Sequence, residues 1–543
     1  MRDLIARLCL AVLLVGPAGA LAAPNSVMIP PDASIDDIVR AATEVRPSAR
    51  QVAWQELGFT AFVHFGMNTF TDQEWGHGGE DPRQFDPVAF DADQWVRAFR
   101  SAGMRGVVLT CKHHDGFCLW PTETTTHSVR ASGWRDGRGD VVADVAAACR
   151  AHGLKFGIYL SPWDRNCADF GTPRYNDVFR AQLRELLTNY GEIYDVWFDG
   201  ANCPKDDPAL FDWAGHARLV RELQPGACIS IMGPDVRWCG NEAGRTRASE
   251  WSVVTLGTAD DAPADASSDV MGAYFDTDVT KADLGGRDAL RGATRLVWWP
   301  AVTNTSIRPG WFHHERDDAR VKSLQELLDV YFASVGGNTQ FLLNVPPDRR
   351  GLIHENDVRR LAELGDVLRA TFDHAVSDDA TFTGYMQAGE YRFDEPRTVS
   401  VIDLREDVVA SGQRVEAFRI DTWDGRRWTE IARGTTIGAR RLVRIPPTTA
   451  LGFRYWIERA RAKPTIASFT LHRAPRLLTP PMIARSRDGV VTIAAREPGP
   501  VRYTTDGSDP DETSAVYAAP FALVRGGVVK ARSFPDADGG RDL

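Results

Sequence analysis

Between about residues 50 and 370, short unbroken apolar runs alternate with longer segments whose apolar side chains recur every three or four positions. The runs at 61–66, 106–115, 155–161 and 193–200 are too short for buried helices and read as buried strands. Segments 91–103 (Trp95, Val96, Phe99), 141–153 and 175–191 (Phe179, Leu183, Leu186, Leu187) read as amphipathic helices, as does 211–223. Gly153 supplies a helix stop. The alternation continues with strands at 227–232, 296–299 and 340–345, and with helices at 324–335 and 357–372 (Val358, Leu361, Leu364, Leu368). Strand and helix in turn predict parallel βαβ units. Residues 240–330 yield no complete set of strands. No G-x-G-x-x-G opens a helix, which argues against a dinucleotide-binding sheet.

Four of these strands end in polar groups: His64, the pair His113-His114, Tyr159 and Asp199. Polar residues gathered at the carboxyl ends of parallel strands fit an α/β (β/α)8-like barrel, whose rim carries its chemistry. Past residue 372 the period shortens. Segments 398–404, 416–422, 427–432, 441–445 and 453–458 are short, alternating and separated by turns, as in a β-sandwich. A proline-bearing linker at 473–481 precedes a last all-β stretch.

The first 22 residues have the form of a secretory signal: Arg2 and Arg7, an apolar run from Leu8 to Val15, then Ala20-Leu21-Ala22. The run is too short to span a bilayer, so the expectation is an exported product, periplasmic or extracellular, without a membrane span. Net charge is −10 and no basic block occurs, which disfavours nucleic acid as a partner. Removing Cys9 leaves seven cysteines and no C-x-x-C, so neither a disulfide framework nor a zinc site is expected. Oligomeric state is not encoded in these patterns.

Asp199 is the first candidate for chemistry. A carboxylate on a rigid strand end suits nucleophilic attack at an anomeric carbon; the same residue also suits a helix N-cap. His113 and His114 can share one pocket with His64 only if their strand is ending there, because strand neighbours point to opposite faces. Neutral imidazoles there would bond sugar hydroxyls. His64, His113 and Asp115 as metal ligands, or ordinary core histidines, are the other readings. Glu74-Trp75 pairs a carboxylate with an indole face, apt for a sugar's hydroxyls and its C–H surface. The Gly- and Pro-rich segment 232–244 reads as a loop that contains Glu242. Glu242, or Glu250 in Ser249-Glu250-Trp251, is the candidate second carboxylate, a general acid with a raised pKa.

These motifs together resemble glycoside hydrolase family 29, the α-L-fucosidases. The resemblance rests on His64-Phe65-Gly66, Glu74-Trp75, Lys112-His113-His114-Asp115-Gly116-Phe117, Gly157-Ile158-Tyr159-Leu160-Ser161 and Trp197-Phe198-Asp199-Gly200. It implies a metal-free retaining hydrolase acting on fucosylated oligosaccharides or glycoprotein glycans. Its catalytic (β/α)8-like domain would span 45–372, followed by a galactose-binding-like β-sandwich over 373–475. Asp199 would be the nucleophile, and His64, Glu74, Trp75, His113, His114 and Tyr159 would line the fucose subsite. Segment 233–242, with 306–312 and 343–348, resembles the subgroup that cleaves α-1,3- and α-1,4-linked fucose. In that subgroup Glu242 matches the acid/base, with Glu250 second, and Arg237 and Trp299 join the substrate-binding set. Relatives carry an acidic stretch after the Trp-Pro matching Trp299-Pro300, where this chain has Ala301-Val302-Thr303-Asn304. That departure bears on leaving-group recognition. It motivates a second reading, a glycan-binding protein without hydrolysis; a retaining glycosidase for another sugar, such as α-galactose, is a third. Val501 to Pro510 resembles the small immunoglobulin-like domain of some chitobiases, placed here at 476–543.

Overall fold

The computed structural model describes residues 24–202, 210–256, 278–385, 387–478, 480–495 and 499–534. The expected signal at 1–22, with Cys9, and Cys203 lie outside the described residues.

Eight parallel strands form the central sheet: β1 (Phe59–Val63), β2 (Gly106–Lys112), β3 (Lys155–Leu160), β4 (Asp195–Phe198), β5 (Cys228–Ile231), β6 (Arg237–Trp238), β7 (Ala301–Ser306) and β8 (Thr339–Asn344). Pairing runs β5-β4-β3-β2-β1-β8-β7-β6. The Ile231 N–H donates to the Val236 carbonyl (2.9 Å) and all but closes the barrel between β5 and β6. Among the described residues, helices α1 (Ala92–Ser101), α2 (Val141–His152), α3 (Tyr175–Asn189), α4 (Trp213–Leu223), α5 (Leu324–Ser334) and α6 (Glu355–Phe372) flank it. Asp91, Asp140 and Asp212 each accept an N3 amide as N-caps of α1, α2 and α4, worth about 0.5–2 kcal/mol apiece.

Alternation along each strand sorts the apolar residues into two layers. Phe62, Val108, Tyr159, Trp197, Cys228, Val302 and Leu342 fill the barrel interior. Their neighbours Val63, Leu109, Ile158, Val196 and Leu343 face the helices and join Trp95, Phe99, Val145, Phe179 and Leu361 in the main core. Truncating fully buried Trp95 or Phe99 to alanine would cost about 3–5 kcal/mol.

Three expectations need correction. The strand expected at 296–299 exists as Arg295–Trp298 but lies outside the barrel. It is the middle strand of a small antiparallel sheet with Ser26–Met28 and Val253–Leu256. Leu296 and Trp298 bury themselves there against Ile29, Ile38, Val45 and Leu290. The barrel strand is instead Ala301–Ser306, polar in sequence yet buried throughout, with Thr303 and Thr339 hydroxyls paired at 2.8 Å. Segment 232–244 is not all loop, because it contains β6.

After α6, strands Thr381–Gly384, Ala388–Glu406, Val415–Trp423, Trp428–Gly434, Arg441–Ala460 and Ile466–His472 form one antiparallel sheet. The runs expected at 441–445 and 453–458 are two parts of a single long strand, whose pairing shifts register at Arg392/Arg397 and Val399/Val401. Its core holds Val399, Ile402, Leu404, Phe418, Ile420, Phe453, Ile457, Phe469 and Leu471. The sheet docks directly on the barrel: the Glu250 N–H reaches Thr436 Oγ1 (3.1 Å) and the Asn338 N–H reaches the Arg440 carbonyl (3.0 Å). Two three-stranded sheets follow the linker, around Val491, Ile493 and Val501. Asp506-Gly507 turns inside a longer connection rather than closing a two-residue hairpin, since the next strand is Ala515–Val516. The six described cysteines are free thiols.

Candidate active site

β2 ends at Lys112, and its pairing with β3 is already irregular between Thr110 and Lys112. His113 and His114 therefore leave the pleat together, their ring centroids 4.1 Å apart. The His113 ring stacks on Tyr159 (5.8 Å) and meets the His64 ring edge-on (5.4 Å). The three imidazoles thus share one cluster at the carboxyl ends of β1, β2 and β3.

Hydrogen bonds fix the tautomers. Ser161 Oγ gives its proton to the Trp163 carbonyl (2.7 Å), so His114 Nδ1 must donate to Ser161 Oγ (2.7 Å). His64 Nδ1 donates to Asn344 Oδ1 (2.8 Å). Both rings keep Nε2 as an acceptor. Asn68 Nδ2 faces His113 Nδ1 (3.5 Å), which leaves Nε2–H as a donor. Burial pushes the His64 pKa down to about 3, only partly offset by Asn344, and it lowers His113 and His114 as well. The Asp199 charge opposes the shift at His114. The cluster is therefore neutral at ordinary pH and offers two acceptors and a donor, a set that suits hydroxyl groups.

Asp199 follows β4 directly. Tyr159 Oη donates to its Oδ2 (2.9 Å) and the Ala201 N–H to its Oδ1 (2.8 Å). It does not cap the next described helix, since Asp212 caps α4. Burial, then the Asp199 charge, raises the Tyr159 pKa, so the phenol stays a donor. Asp115 turns away from the imidazoles and accepts the Phe117 N–H (2.7 Å). Among the described residues no group of His, Cys, Asp and Glu is placed to hold a metal ion.

The two candidate glutamates separate cleanly. Glu242 lies beyond β6, exposed at the mouth. Partial withdrawal from water raises its pKa, the Trp311 side chain opposes that shift, and the Asp199 and Glu74 charges add to it. Glu250 is fully buried, paired with Arg237 and with Arg247 (3.2 Å), and its N–H is bound by the C-terminal sheet. Both of its oxygens are engaged far from water, so it cannot exchange protons with a substrate.

Arg237 and Trp299 are corrections too. Arg237 is wholly buried and donates to the Trp299 carbonyl (2.9 Å), Glu250 and the Trp251 carbonyl (2.8 Å). It pairs in register with Ala301, the first residue of β7, and so sits at the barrel end opposite the imidazoles. Trp299 precedes β7 and is packed in the main core. Neither reaches the rim. Segment 301–304 is barrel wall, with Asn304 Oδ1 accepting from Trp238 Nε1 (2.9 Å), so its composition gives no ground for lost hydrolysis.

Glu74 and Trp75 both come to the rim, in different roles. Trp75 is 52% exposed and edge-on to His114 and Trp163 (5.7 Å each). Glu74 accepts the Trp311 N–H (2.8 Å), the Phe312 N–H (3.2 Å) and His314 Nε2 (2.7 Å), and so clasps the loop after β7. A second clasp joins the loops at 74–80 and 161–167: Arg165 Nη1 donates to the Gly76 carbonyl (2.5 Å) and Asn166 Nδ2 to the Gly78 carbonyl (2.7 Å). Gly78 has φ +84°, and a Cβ there would lie 2.4 Å from the Arg165 backbone. Ser161, Trp163, Trp311 and Asn344 were not singled out by strand-end reasoning. Trp163 and Trp311 lie in loops, and Asn344 ends a strand whose apolar run masks it. Their signal was their place inside the motifs Ser161-Pro162-Trp163, Gly310-Trp311-Phe312 and Leu343-Asn344-Val345.

A family model described as alpha-L-fucosidase matches residues 51–371, the barrel and every rim residue named above. The chain belongs to the glycoside hydrolase family 29 α-L-fucosidases. A second model, Fn3 associated, matches residues 491–542. Alpha-L-fucosidase 1 of Arabidopsis thaliana is 37% identical over 465 residues, 78% of this chain and 87% of that protein. A crystal structure from Bacteroides ovatus superposes with TM-score 0.77 at 39% identity, covering 94% of each chain. A Ruminococcus gnavus GH29 fucosidase in complex with fucose superposes with TM-score 0.68 at 27% identity, covering 80% of this chain and 96% of the other. This α-L-fucosidase is thus a glycoside hydrolase, with a barrel whose carboxyl-end rim gathers Asp199, Glu242, Tyr159 and three histidines.

Proposed function

We propose that this α-L-fucosidase removes terminal α-1,3- or α-1,4-linked L-fucose by double displacement, with retention. One observation carries the reading: Asp199, oriented by Tyr159, stands beside three neutral imidazoles and within electrostatic reach of a proton-holding Glu242. An Asp199 oxygen attacks the anomeric carbon as the glycosidic C–O bond breaks, and the leaving oxygen takes the Glu242 proton. Glu242 then removes a proton from water. The water oxygen displaces the Asp199 carboxylate, which releases fucose and restores both groups. His64, His113, His114 and Tyr159 bind the sugar's hydroxyls, Trp75 gives an apolar face at the rim, and Glu74 fixes the wall. The fucose complex of the Ruminococcus gnavus relative supports the glycone, and segments 233–242, 306–312 and 343–348 support the linkage.

Incubation with a Lewis-type trisaccharide tests this. Proton NMR should show α-fucose as the first-formed anomer. β-Fucose first would mean inversion and would remove Asp199 as nucleophile; no released fucose would overturn the linkage. We also propose export, after cleavage near Ala22, on the Arg2/Arg7 and Leu8-to-Val15 pattern. Amino-terminal sequencing of the protein from its own cells, with the leader retained, would sink that.

A further inference from the structure

We propose that Trp311 is a positioning residue whose indole N–H holds the Glu242 carboxyl in place; the proposal rests on Glu242 as acid/base. Trp311 lies in the loop after β7, and three directions of it are already fixed. Its N–H donates to Glu74 Oε2 (2.8 Å). Its carbonyl accepts from Asn344 Nδ2 (2.7 Å), the same amide group whose oxygen takes the His64 proton. Its ring lies 5.1 Å from the His64 ring at 33° and 6.2 Å from Phe62.

The loop has no slack. A Cβ added at Gly310 would lie 2.3 Å from Glu74 Oε1, and that oxygen also takes the Phe312 N–H (3.2 Å) and His314 Nε2 (2.7 Å). His314 Nδ1 is braced in turn by Asp72 (2.6 Å), which Arg316 also holds (2.7 Å). The one polar group of Trp311 left for other use is the indole N–H, and it faces Glu242, where it favours the ionised carboxylate. Glu242 itself sits exposed beyond a two-residue strand. A long, exposed side chain loses rotamer freedom only if something fixes it. Trp311 therefore ties the mobile acid to the rigid floor built from Glu74, Asn344 and His64. The effect on catalysis is through Glu242, not through contact with the reacting atoms.

Trp311→Phe keeps a ring against His64 and Phe62 and deletes only the donor. We expect kcat on a Lewis-type trisaccharide to fall roughly tenfold, the scale of a hydrogen bond to a charged group. An activated aryl fucoside, which needs little protonation, should lose much less. Losing a donor to the ionised form raises the proton affinity of Glu242, so the alkaline limb of the kcat profile should move to higher pH. Inhibition by free fucose should be unchanged, which also reports an intact fold. Trp311→His retains an N–H donor and should return the limb toward the wild-type position.

In a Glu242→Gln background, Trp311→Phe should add no further loss, because the group it acts through is gone. Equal losses on both substrates with the limb unmoved would overturn the proposal. So would a full additional loss in the Glu242→Gln background, or weakened fucose inhibition accounting for the whole effect. Failure of the underlying assignment looks different: Glu242→Gln itself would then leave the alkaline limb and the trisaccharide rate in place.

Discussion

Strand β4 begins with one aspartate and is followed by another, and the two have opposite fates. Asp195, at the closed end of the barrel, is buried, with Trp54 Nε1 (2.9 Å) on one oxygen and Ser230 Oγ (2.7 Å) on the other. Asp199, at the open end, also has one donor on each oxygen, Tyr159 Oη and the Ala201 N–H. The number of partners therefore does not distinguish them. What differs is access: Trp54 plugs the barrel beneath Asp195, whereas Asp199 borders the imidazole cluster and the mouth that holds Glu242. A carboxylate becomes reactive here by facing an opening, while the same residue on the same strand becomes a structural acid by facing inward.

The sharpest way to break this comparison is Asp199→Asn. If Asp199 is the nucleophile, turnover of the trisaccharide should fall by on the order of 10⁴-fold or more. Circular dichroism and melting temperature should stay near wild type, since the amide still accepts from Tyr159. Substantial residual turnover in this variant would move the chemistry elsewhere. Next in size is Glu242→Gln, expected to cost about 10²- to 10⁴-fold on the trisaccharide and less on an activated fucoside. Its pH sign follows from the raised pKa: the acid keeps its proton above the ordinary glutamate range, and activity falls as pH rises through that value. Deleting the carboxyl should abolish the limb rather than shift it.

Glu250 is the control for Glu242. Glu250→Gln leaves Arg237 without its buried carboxylate and weakens the hold on Arg247, and breaking a buried pair costs about 3–5 kcal/mol. We expect a lower melting temperature and poorer yield. The folded fraction should keep near-normal kcat and an unmoved alkaline limb, measured per active site. A normal melting temperature with lost turnover would reverse the roles assigned to the two glutamates.

How much of this was legible follows from the residues themselves. Strand ends announced by a switch from apolar to polar, at His64, His113, Tyr159 and Asp199, were readable because the period of a buried strand breaks where the barrel opens. β7 was not readable, because Ala-Val-Thr-Asn-Thr-Ser lacks large apolar residues and is buried by hydroxyl pairing, as between Thr303 and Thr339. β6 was hidden because two residues carry no period. Arg237 and Trp299 were misplaced for a related reason. Their motif lies next to the site in sequence, but a parallel strand delivers only its carboxyl end to the rim, and both residues sit at the other end. The Glu74 clasp was invisible because its partners are backbone amides of residues 311 and 312, which no side-chain pattern reports.

The smallest effect sharpens the comparison most directly, because it makes the closed-end aspartate report its own environment. Burial pushes the Asp195 pKa up to about 7, with Ser230 and Trp54 only partly opposing it. The unfolded chain releases that proton near the ordinary aspartate value of 3.8, so between there and about 7 the folded state binds more protons than the unfolded one. Stability attributable to Asp195 is thus complete at low pH and declines as pH rises through that window. The decline amounts to at most about 4 kcal/mol. Asp195→Asn removes the titration, so its melting temperature relative to wild type should improve from pH 5 to pH 8. Asp115, raised by burial to about 7, gives the wild type a slope of the same sign. Only the difference between variant and wild type isolates Asp195. A difference that is the same at both pH values would mean that Asp195 is ionised in the folded barrel, and that access alone does not separate the two ends of β4.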